Sequence, residues 1–125
     1  MGKVEKFEDL IAWQKARELN ASIFQQTANE FFSKDLAFRN QVRRASLSIM
    51  ANIAEGFERG SATEFHHFLF IAKASCAELR SHLYAASDAG FLSKEEFVAL
   101  LQQSEEAAKI IGGLRTAVAK RRMKR

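Results

Sequence analysis

The 125-residue chain contains no proline, one cysteine and six glycines. Because proline removes a backbone donor and clashes with the preceding turn, its absence permits long uninterrupted helices. The single cysteine, Cys76, excludes an intrachain disulfide and a cysteine-rich zinc site. The longest apolar run, residues 68–72, is far too short to cross a bilayer. With 47% hydrophobic residues and no apolar signal segment near Met1, we expect one soluble, cytoplasmic domain with no membrane partner.

The positive charge is concentrated at the C-terminus. The formal net charge is +4, yet residues 1–114 contain 13 basic and 15 acidic residues. Residues 115–125 contain no acid and six basic residues: Arg115, Lys120, Arg121, Arg122, Lys124 and Arg125. Because such cations attract phosphates, we take them as the main candidates for binding RNA or DNA. No aromatic residue accompanies them, so we expect neither base stacking nor sequence specificity from this segment. The alternative is a solubilising helix end, since cations suit the negative end of the helix dipole.

Apolar residues recur at spacings of three and four, which predicts helices. The first helix should cover about residues 7–27, followed by a short connection with Ser33 as the next N-cap. The second should cover about residues 34–57, where Gly56 or Gly60 offers a left-handed stop.

Two capping boxes mark the starts of the third and fourth helices. Ser61 is followed three residues later by Glu64, and Ser93 by Glu96. The third helix should end before Gly90, and the fourth should reach about residue 119 or continue into the basic tail.

The four predicted helices have core stripes with sustained three- and four-residue spacing, which fits near-parallel packing. These stripes lie within residues 12–23, 38–53, 65–86 and 97–118. Connections of about four to seven residues favour antiparallel neighbours. We therefore predict an all-α fold, an up-down-up-down antiparallel four-helix bundle over residues 1–119, followed by a basic C-terminal tail over residues 120–125.

The third predicted helix has more apolar surface than one core can use. A second stripe lies roughly 100–180° from the core stripe, at about 100° per residue. Its members are Phe70, Ala74, Ala77 and Tyr84. Because a large exposed apolar patch is unusual on a soluble monomer, we predict a subunit interface and a homo-oligomer. The alternative is scattered surface hydrophobicity.

The second predicted helix carries polar residues beside its core stripe: Gln41, Arg44, Ser48, Asn52 and Glu55. Arg44 and Glu55 are eleven residues apart, about 16 Å along a helix, so they cannot pair within it. We interpret this polar stripe as a hydrogen-bonded network that holds helices in register, with a ligand or partner site as the alternative. Arg39 and Arg43 lie one turn apart on another face and are further candidates for nucleic-acid contact, unless they are ordinary surface cations.

The sequence contains no recognisable acid–base pair or nucleophile constellation, so we predict no catalytic residue and no enzymatic activity. Glu64 and His67 have the Glu-x-x-His spacing of di-iron bundles, but it occurs once where such sites use two copies. We therefore expect no metal site and no cofactor. Cys76 falls on a core stripe and is expected to be a packing residue.

Five segments together resemble the 23S rRNA intervening-sequence proteins. They are FEDL at 7–10, AWQKA at 12–16, QVRRA at 41–45, NIAEG at 52–56 and FHHFLF at 65–70. The resemblance weakens after about Gly112. It implies a four-helix bundle assembled as a ring-shaped homopentamer, similar in fold to the accessory proteins of diversity-generating retroelements, which partner a reverse transcriptase and nucleic acid. It implies no established enzymatic activity. Met50 stands where the family often has proline, so we expect a straighter second helix here.

Two functions follow as hypotheses. The first is a non-enzymatic, homo-oligomeric bundle that binds RNA, DNA or a nucleoprotein through the basic tail, with Arg39 and Arg43 as additional contacts. The alternative is a protein–protein interaction scaffold without nucleic-acid affinity, which would use the second apolar stripe or the polar stripe. A nucleic-acid-processing protein is a candidate partner in either case.

Overall fold

The computed structural model describes residues 4–123, with side chains for residues 4–121. In that range the chain forms a 3-10 turn, five α-helices and no strand. The turn is Phe7–Asp9, and the helices are α1 (Ile11–Gln26), α2 (Glu30–Ser33), α3 (Leu36–Glu58), α4 (Ala62–Asp88) and α5 (Lys94–Met123). The predicted all-α helical bundle is confirmed. None of the helices in this range combines the length and the apolarity needed to cross a membrane.

The start of the first predicted helix was wrong. Leu10 has extended backbone angles, φ −75° and ψ 126°, and separates the 3-10 turn from α1. The Asp9 carboxylate accepts hydrogen bonds from the Glu5 and Lys6 amides, each at 3.3 Å, and so stabilises the turn. Leu10 itself is buried. The extended Leu10 between the 3-10 turn and α1 therefore places its side chain in the core.

The predicted connection after α1 contains the single-turn helix α2. Asn29 caps it, since its side-chain oxygen accepts a hydrogen bond from the Phe32 amide. The prediction that Ser33 is the N-cap of α3 was wrong. The Ser33 hydroxyl instead donates to the Asn29 carbonyl. The cap is Asp35, whose carboxylate accepts from the Phe38 amide at 3.1 Å.

The remaining predicted helix ends agree with the structure. Gly60 has φ +78° and follows α3, and Gly90 has φ +80° and follows α4. Both are conformations that favour glycine. Ser61 and Ser93 cap α4 and α5 by accepting from the amide three residues later, at 3.1 Å in each case. Glu96 completes its predicted capping box by accepting from the Ser93 amide at 2.8 Å, whereas the Glu64 carboxylate pairs with Arg59 and does not complete the other predicted box.

Gly56 does not end α3. It is buried inside the helix, where a Cβ atom would lie 2.5 Å from the Phe68 Cβ of α4. This distance is shorter than any ordinary carbon–carbon contact, so the close approach of α3 to α4 requires glycine at this position.

The core lies between the four long helices. α1 packs against α3 and α5, and α4 packs against the same two helices. The predicted core positions are buried, except that Phe38, Phe97 and Leu114 are partly buried. The largest fully buried apolar side chains are Phe32, Leu19, Ile23, Ile49, Ile53, Leu69, Leu79, Leu83, Ile111, Val42 and Val118.

Ring contacts establish which helix ends meet. The Phe57 ring near the end of α3 packs edge-on against Phe65 near the start of α4. The Tyr84 ring near the end of α4 packs against Phe97 near the start of α5. Arg115, towards the end of α5, lies over Phe70 in the first half of α4. The basic end of α5 is therefore beside the beginning of α4.

Candidate nucleic-acid interface and neighbouring surfaces

The basic C-terminal segment continues α5 without a break as far as Met123. Lys120 and Arg121 are exposed, and neither forms an ion pair among the described side chains. Arg121 also borders a cavity of about 250 Å³ beside Ser61, the N-cap of α4. The side chain of Arg122 and the whole of Lys124 and Arg125, which the sequence assigned to the same set, lie outside the described residues.

The start of α4 adds a favourable electrostatic feature to this end of the bundle. The first amide groups of a helix have no intrahelical partner and give that end a partial positive charge. Arg59 lies nearby but is partly neutralised, since its guanidinium is 3.5 Å from both Glu55 and Glu64. Phosphate oxygens approaching Arg121 would therefore also lie near the partly positive start of α4.

Arg115 occupies a different environment from the rest of the basic set. Its guanidinium carbon lies 5.2 Å from the centre of the Phe70 ring, in cation–π contact. Its Nε is buried and has no hydrogen-bond partner within residues 4–121. The sequence placed Arg115 with the basic tail and Phe70 with the second apolar stripe. The structure brings these two residues together.

The second apolar stripe is exposed on α4. Phe70 and Tyr84 are each 54% exposed, and Ala74 and Ala77 lie between them on the surface. Part of this stripe forms the floor of an open groove of about 320 Å³. We call it the α4–α5 groove, and its lining residues are Phe70, Lys73, Ala74, Ala77, Arg80 and Arg115.

The lining of the α4–α5 groove contains three cations and no carboxylate. Lys73, Arg80 and Arg115 form no ion pair with any described residue. The Lys73 ammonium lies close over α5, because a Cβ added at Gly112 would be 3.4 Å from it. Spacing along α4 does not identify Lys73 and Arg80 as site residues, since each becomes significant only beside Arg115 of α5.

The polar stripe of α3 divides into two parts. Ser48 and Asn52 are partly buried: the Asn52 amide donates to the Ser48 carbonyl at 2.8 Å and to its hydroxyl at 3.0 Å. The Ser48 and Ser75 hydroxyls lie 2.8 Å apart and join α3 to α4. Ser75, which the sequence analysis missed, also donates to the carbonyl of Ile71.

The outer members of the stripe are separate from this network. Gln41 and Arg44 are exposed and make no side-chain hydrogen bond or ion pair with the residues that the structure describes. Glu55 pairs with Arg59 on the surface at 3.5 Å. The structure therefore brings together Ser48 and Asn52 but leaves Gln41, Arg44 and Glu55 outside the helix–helix contact.

Arg43 is partly buried and is bonded to the C-terminal end of α1. Its Nε donates to the Thr27 hydroxyl at 2.8 Å, and its Nη2 donates to the Phe24 carbonyl at 3.3 Å. The guanidinium also stacks over the Phe24 ring, 4.4 Å from the centre. Burial lowers the pKa of Arg43, and the positive charge of Arg39 lowers it further. These contacts tie α3 to the C-terminal end of α1, which has a partial negative charge.

Arg39 is partly buried, and its Nε has no hydrogen-bond partner among the described side chains and backbone. Thr27, the partner of Arg43, is buried and donates its hydroxyl to the Ile23 carbonyl at 2.7 Å. No spacing signal in the sequence could pair Thr27 with Arg43, because Thr27 caps the end of α1 and Arg43 belongs to α3.

Cys76 is fully buried in the core. Burial raises the pKa of its thiol to about 11, although Arg80 and Lys73 act in the opposite direction. The thiol is therefore protonated at neutral pH and lacks the open, electropositive setting of a reactive cysteine. Within the described part of the chain, no group of three or more His, Cys, Asp or Glu side chains could hold a metal ion.

Comparison with known proteins places the chain in context. A family model described as 23S rRNA-intervening sequence protein matches residues 8–113. A search of curated proteins found no match. The crystal structure of a protein of unknown function from the S23 ribosomal protein family of Bacteroides thetaiotaomicron is similar, with 23% sequence identity and a TM-score of 0.77. The alignment covers 84% of this chain and 98% of that chain, and it shows the fold alone. The six cations of residues 115–125 all lie beyond the family match.

Proposed function

The chain belongs to the 23S rRNA-intervening sequence protein family, and from this premise we propose that it is a non-enzymatic, homo-oligomeric helical bundle that binds RNA or DNA electrostatically. The observation that carries the proposal is the exposed, acid-free end of α5 beside the start of α4. Lys120 and Arg121 extend from a rigid helix there, next to amide groups with a partial positive charge.

The proposed mechanism is phosphate neutralisation. Each cation that contacts a phosphate releases condensed counterions, so affinity falls steeply as salt concentration rises. A single tail presents few charges, but an oligomer presents several tails in fixed geometry. Attachment of one tail then raises the effective concentration of the others at the same nucleic acid. Arg43 contributes little in this mechanism, because its guanidinium is already engaged with α1.

We propose an up-down-up-down antiparallel arrangement of the four long helices and a ring of five copies, as the family resemblance implies. A symmetric pair formed through Phe70 and Tyr84 would bring the Lys73 and Arg80 cations of two copies together. Like charges facing one another across an interface are unfavourable. An oligomer that uses the Phe70–Tyr84 surface would therefore be heterologous, with a different face of the neighbouring copy opposite it.

Fluorescence anisotropy with labelled structured RNA and duplex DNA tests the proposal. Intact protein is compared with a truncated protein ending at Ala119, at several salt concentrations. We expect truncation to weaken binding and to reduce the slope of log affinity against log salt, by about 0.9 for each lost contact to duplex phosphate. Equal binding by the two proteins would reject the role of the tail. A matched full-length variant with glutamine at Lys120 and Arg121 keeps the helix while removing two charges.

The alternative function is a protein-interaction scaffold. The observation that favours it is the 54% exposure of both Phe70 and Tyr84, which is unusual for large aromatic side chains on an isolated soluble chain. The partner would be a further copy of the chain or a nucleic-acid-processing protein. This function predicts no nucleic-acid affinity at physiological salt, whereas Phe70→Asp would change the mass of the assembly or abolish partner binding. Unchanged mass and unchanged partner binding in Phe70→Asp would reject it.

A further inference from the structure

The α4–α5 groove combines the exposed Phe70 ring with uncompensated cations, and the exposed Tyr84 ring lies further along α4, outside the groove lining. Phe70 and Tyr84 are fourteen residues apart on one face of α4, or about 21 Å along the helix axis. Lys73, Arg80 and Arg115 supply positive charge between them or beside them. Aromatic platforms within a positively charged groove are the arrangement that binds single-stranded nucleic acid.

We infer that the α4–α5 groove and the neighbouring Tyr84 ring bind single-stranded nucleic acid, with bases stacking on Phe70 and Tyr84 and phosphates contacting Lys73, Arg80 and Arg115. This inference rests on the proposed nucleic-acid function and names the class of nucleic acid. It also supplies the base contacts that the basic tail lacks.

Both rings are held in place by neighbours that leave them accessible. Tyr84 packs edge-on against Phe97, with ring centres 5.0 Å apart, and remains 54% exposed. The Arg115 guanidinium covers part of the Phe70 ring and is itself a flat surface on which a base can stack. Rings held in this way lose little conformational freedom when a base binds to them.

The charge of the groove favours nucleic acid over a second apolar protein surface. A protein partner would need carboxylates opposite Lys73, Arg80 and Arg115, whereas every nucleotide supplies a phosphate. The three groove cations have no carboxylate partner among the described residues, so phosphate contact breaks no existing ion pair. Electrostatic complementarity therefore selects an anionic ligand, and the aromatic rings select one with flat unpaired bases.

The basic end of α5 follows the groove along the same helix. Arg115 lines the groove, and the exposed Lys120 and Arg121 lie five and six residues further along α5. A strand leaving the groove at Phe70 would therefore pass towards the proposed phosphate-binding end. A duplex cannot use the rings in this way, because its bases are already stacked on one another.

Anisotropy measurements with three labelled probes test the inference: a 12-nucleotide oligothymidylate, an abasic oligomer of the same length, and a 12-base-pair duplex. Phe70→Ala and Tyr84→Ala should each weaken oligothymidylate binding by about tenfold, as expected for loss of one stacked base. Neither change should alter binding of the abasic oligomer or the duplex. Tyr84→Phe retains the ring and should bind oligothymidylate as the wild-type protein does.

Matched variants control for general effects. Phe31 of α2 is 49% exposed and stacks on Phe91, which follows the C-terminal end of α4. Phe31→Ala therefore removes an exposed ring outside the groove and should leave binding unchanged. Arg80→Gln should weaken binding of both single-stranded probes. Arg17→Gln removes the same charge from an exposed position on α1 and should have a smaller effect.

The outcomes separate the inference from the function on which it rests. Equal oligothymidylate binding by wild-type protein and both alanine variants would overturn the groove assignment, while tail-dependent binding would still support the proposed function. Absence of binding to every probe would reject both. A change in assembly mass with an equal loss of binding to all three probes would identify the groove as a subunit interface instead and overturn the inference.

Discussion

Gly56 and Phe68 are in direct contact across the α3–α4 interface, where a Cβ atom on Gly56 would lie 2.5 Å from the Phe68 Cβ. The Gly56 backbone and the Phe68 Cβ are fixed by their helices, so a methyl group at position 56 can be accommodated only if α3 and α4 separate. This contact sets the spacing of α3 and α4 at this point.

Gly56→Ala should therefore destabilise the protein, although alanine has the higher helix propensity. We expect a loss of about 1–3 kcal/mol in the free energy of unfolding, the usual cost of overpacking. Gly113→Ala is the matched control, because Gly113 is exposed within α5 and nothing lies within 4 Å of its added Cβ. It should gain about 0.5–1 kcal/mol from helix propensity. Urea unfolding measures both, and a stable Gly56→Ala protein would contradict the contact.

Thr27→Val should also destabilise the protein, because it removes the acceptor for Nε of the partly buried Arg43. The valine side chain has a similar shape, so the expected loss of about 0.5–1.5 kcal/mol reflects the lost hydrogen bond rather than a cavity. Thr116→Val, at an exposed threonine of α5, is the control and should change unfolding free energy by less than about 0.5 kcal/mol. Similar urea midpoints for the two variants would show that the Thr27–Arg43 bond contributes little.

Asp35 rather than Ser33 caps α3, and this correction is directly measurable. Asp35→Ala should cost about 0.5–2 kcal/mol in unfolding free energy, since it leaves the Phe38 amide without its side-chain acceptor. Ser33→Ala should cost less, because the Ser33 hydroxyl donates to an exposed backbone carbonyl. If thermal unfolding showed the larger loss in Ser33→Ala, the assignment of the cap would be wrong.

Cys76 should make stability fall at alkaline pH. Burial raises the pKa of the folded thiol to about 11, above the ordinary value of 9.0. The thiol therefore favours the folded state fully below pH 9, and this contribution is lost as pH rises through about 11. Native protein at pH 8 should react with iodoacetamide far more slowly than protein unfolded in urea. Cys76→Ala should show a weaker fall in stability between pH 9 and 11, whereas an identical fall would assign it to other groups.

Helical periodicity was sufficient to predict the four long helices and nearly all of their core positions. Glycines and capping serines also predicted the ends of α3 and α4 and the start of α5, because those signals act locally. The N-terminal boundaries were wrong where local signals compete. Ser33 and Asp35 are both capping residue types, and the Asn29 cap of α2 determines which of them begins α3.

The candidate surfaces depend on relationships between helices, which spacing along one helix does not contain. Phe70 and Tyr84 could be identified from the sequence as a second apolar stripe. The contact between Phe70 and Arg115 could not be identified, because Arg115 comes from α5 and had been grouped with the tail. Likewise, the sequence made Arg43 a candidate nucleic-acid contact, with a surface cation as the alternative, and could not predict its hydrogen bond to Thr27 at the end of α1.

The most direct test of the account is nucleic-acid binding by the intact protein as salt is varied, compared with a full-length variant carrying glutamine at Lys120 and Arg121. Fluorescence anisotropy with labelled structured RNA should show binding that weakens with salt and a shallower salt slope for the variant. Binding by neither protein at moderate salt, or equal affinity and equal slope for both, would contradict electrostatic attachment through the end of α5.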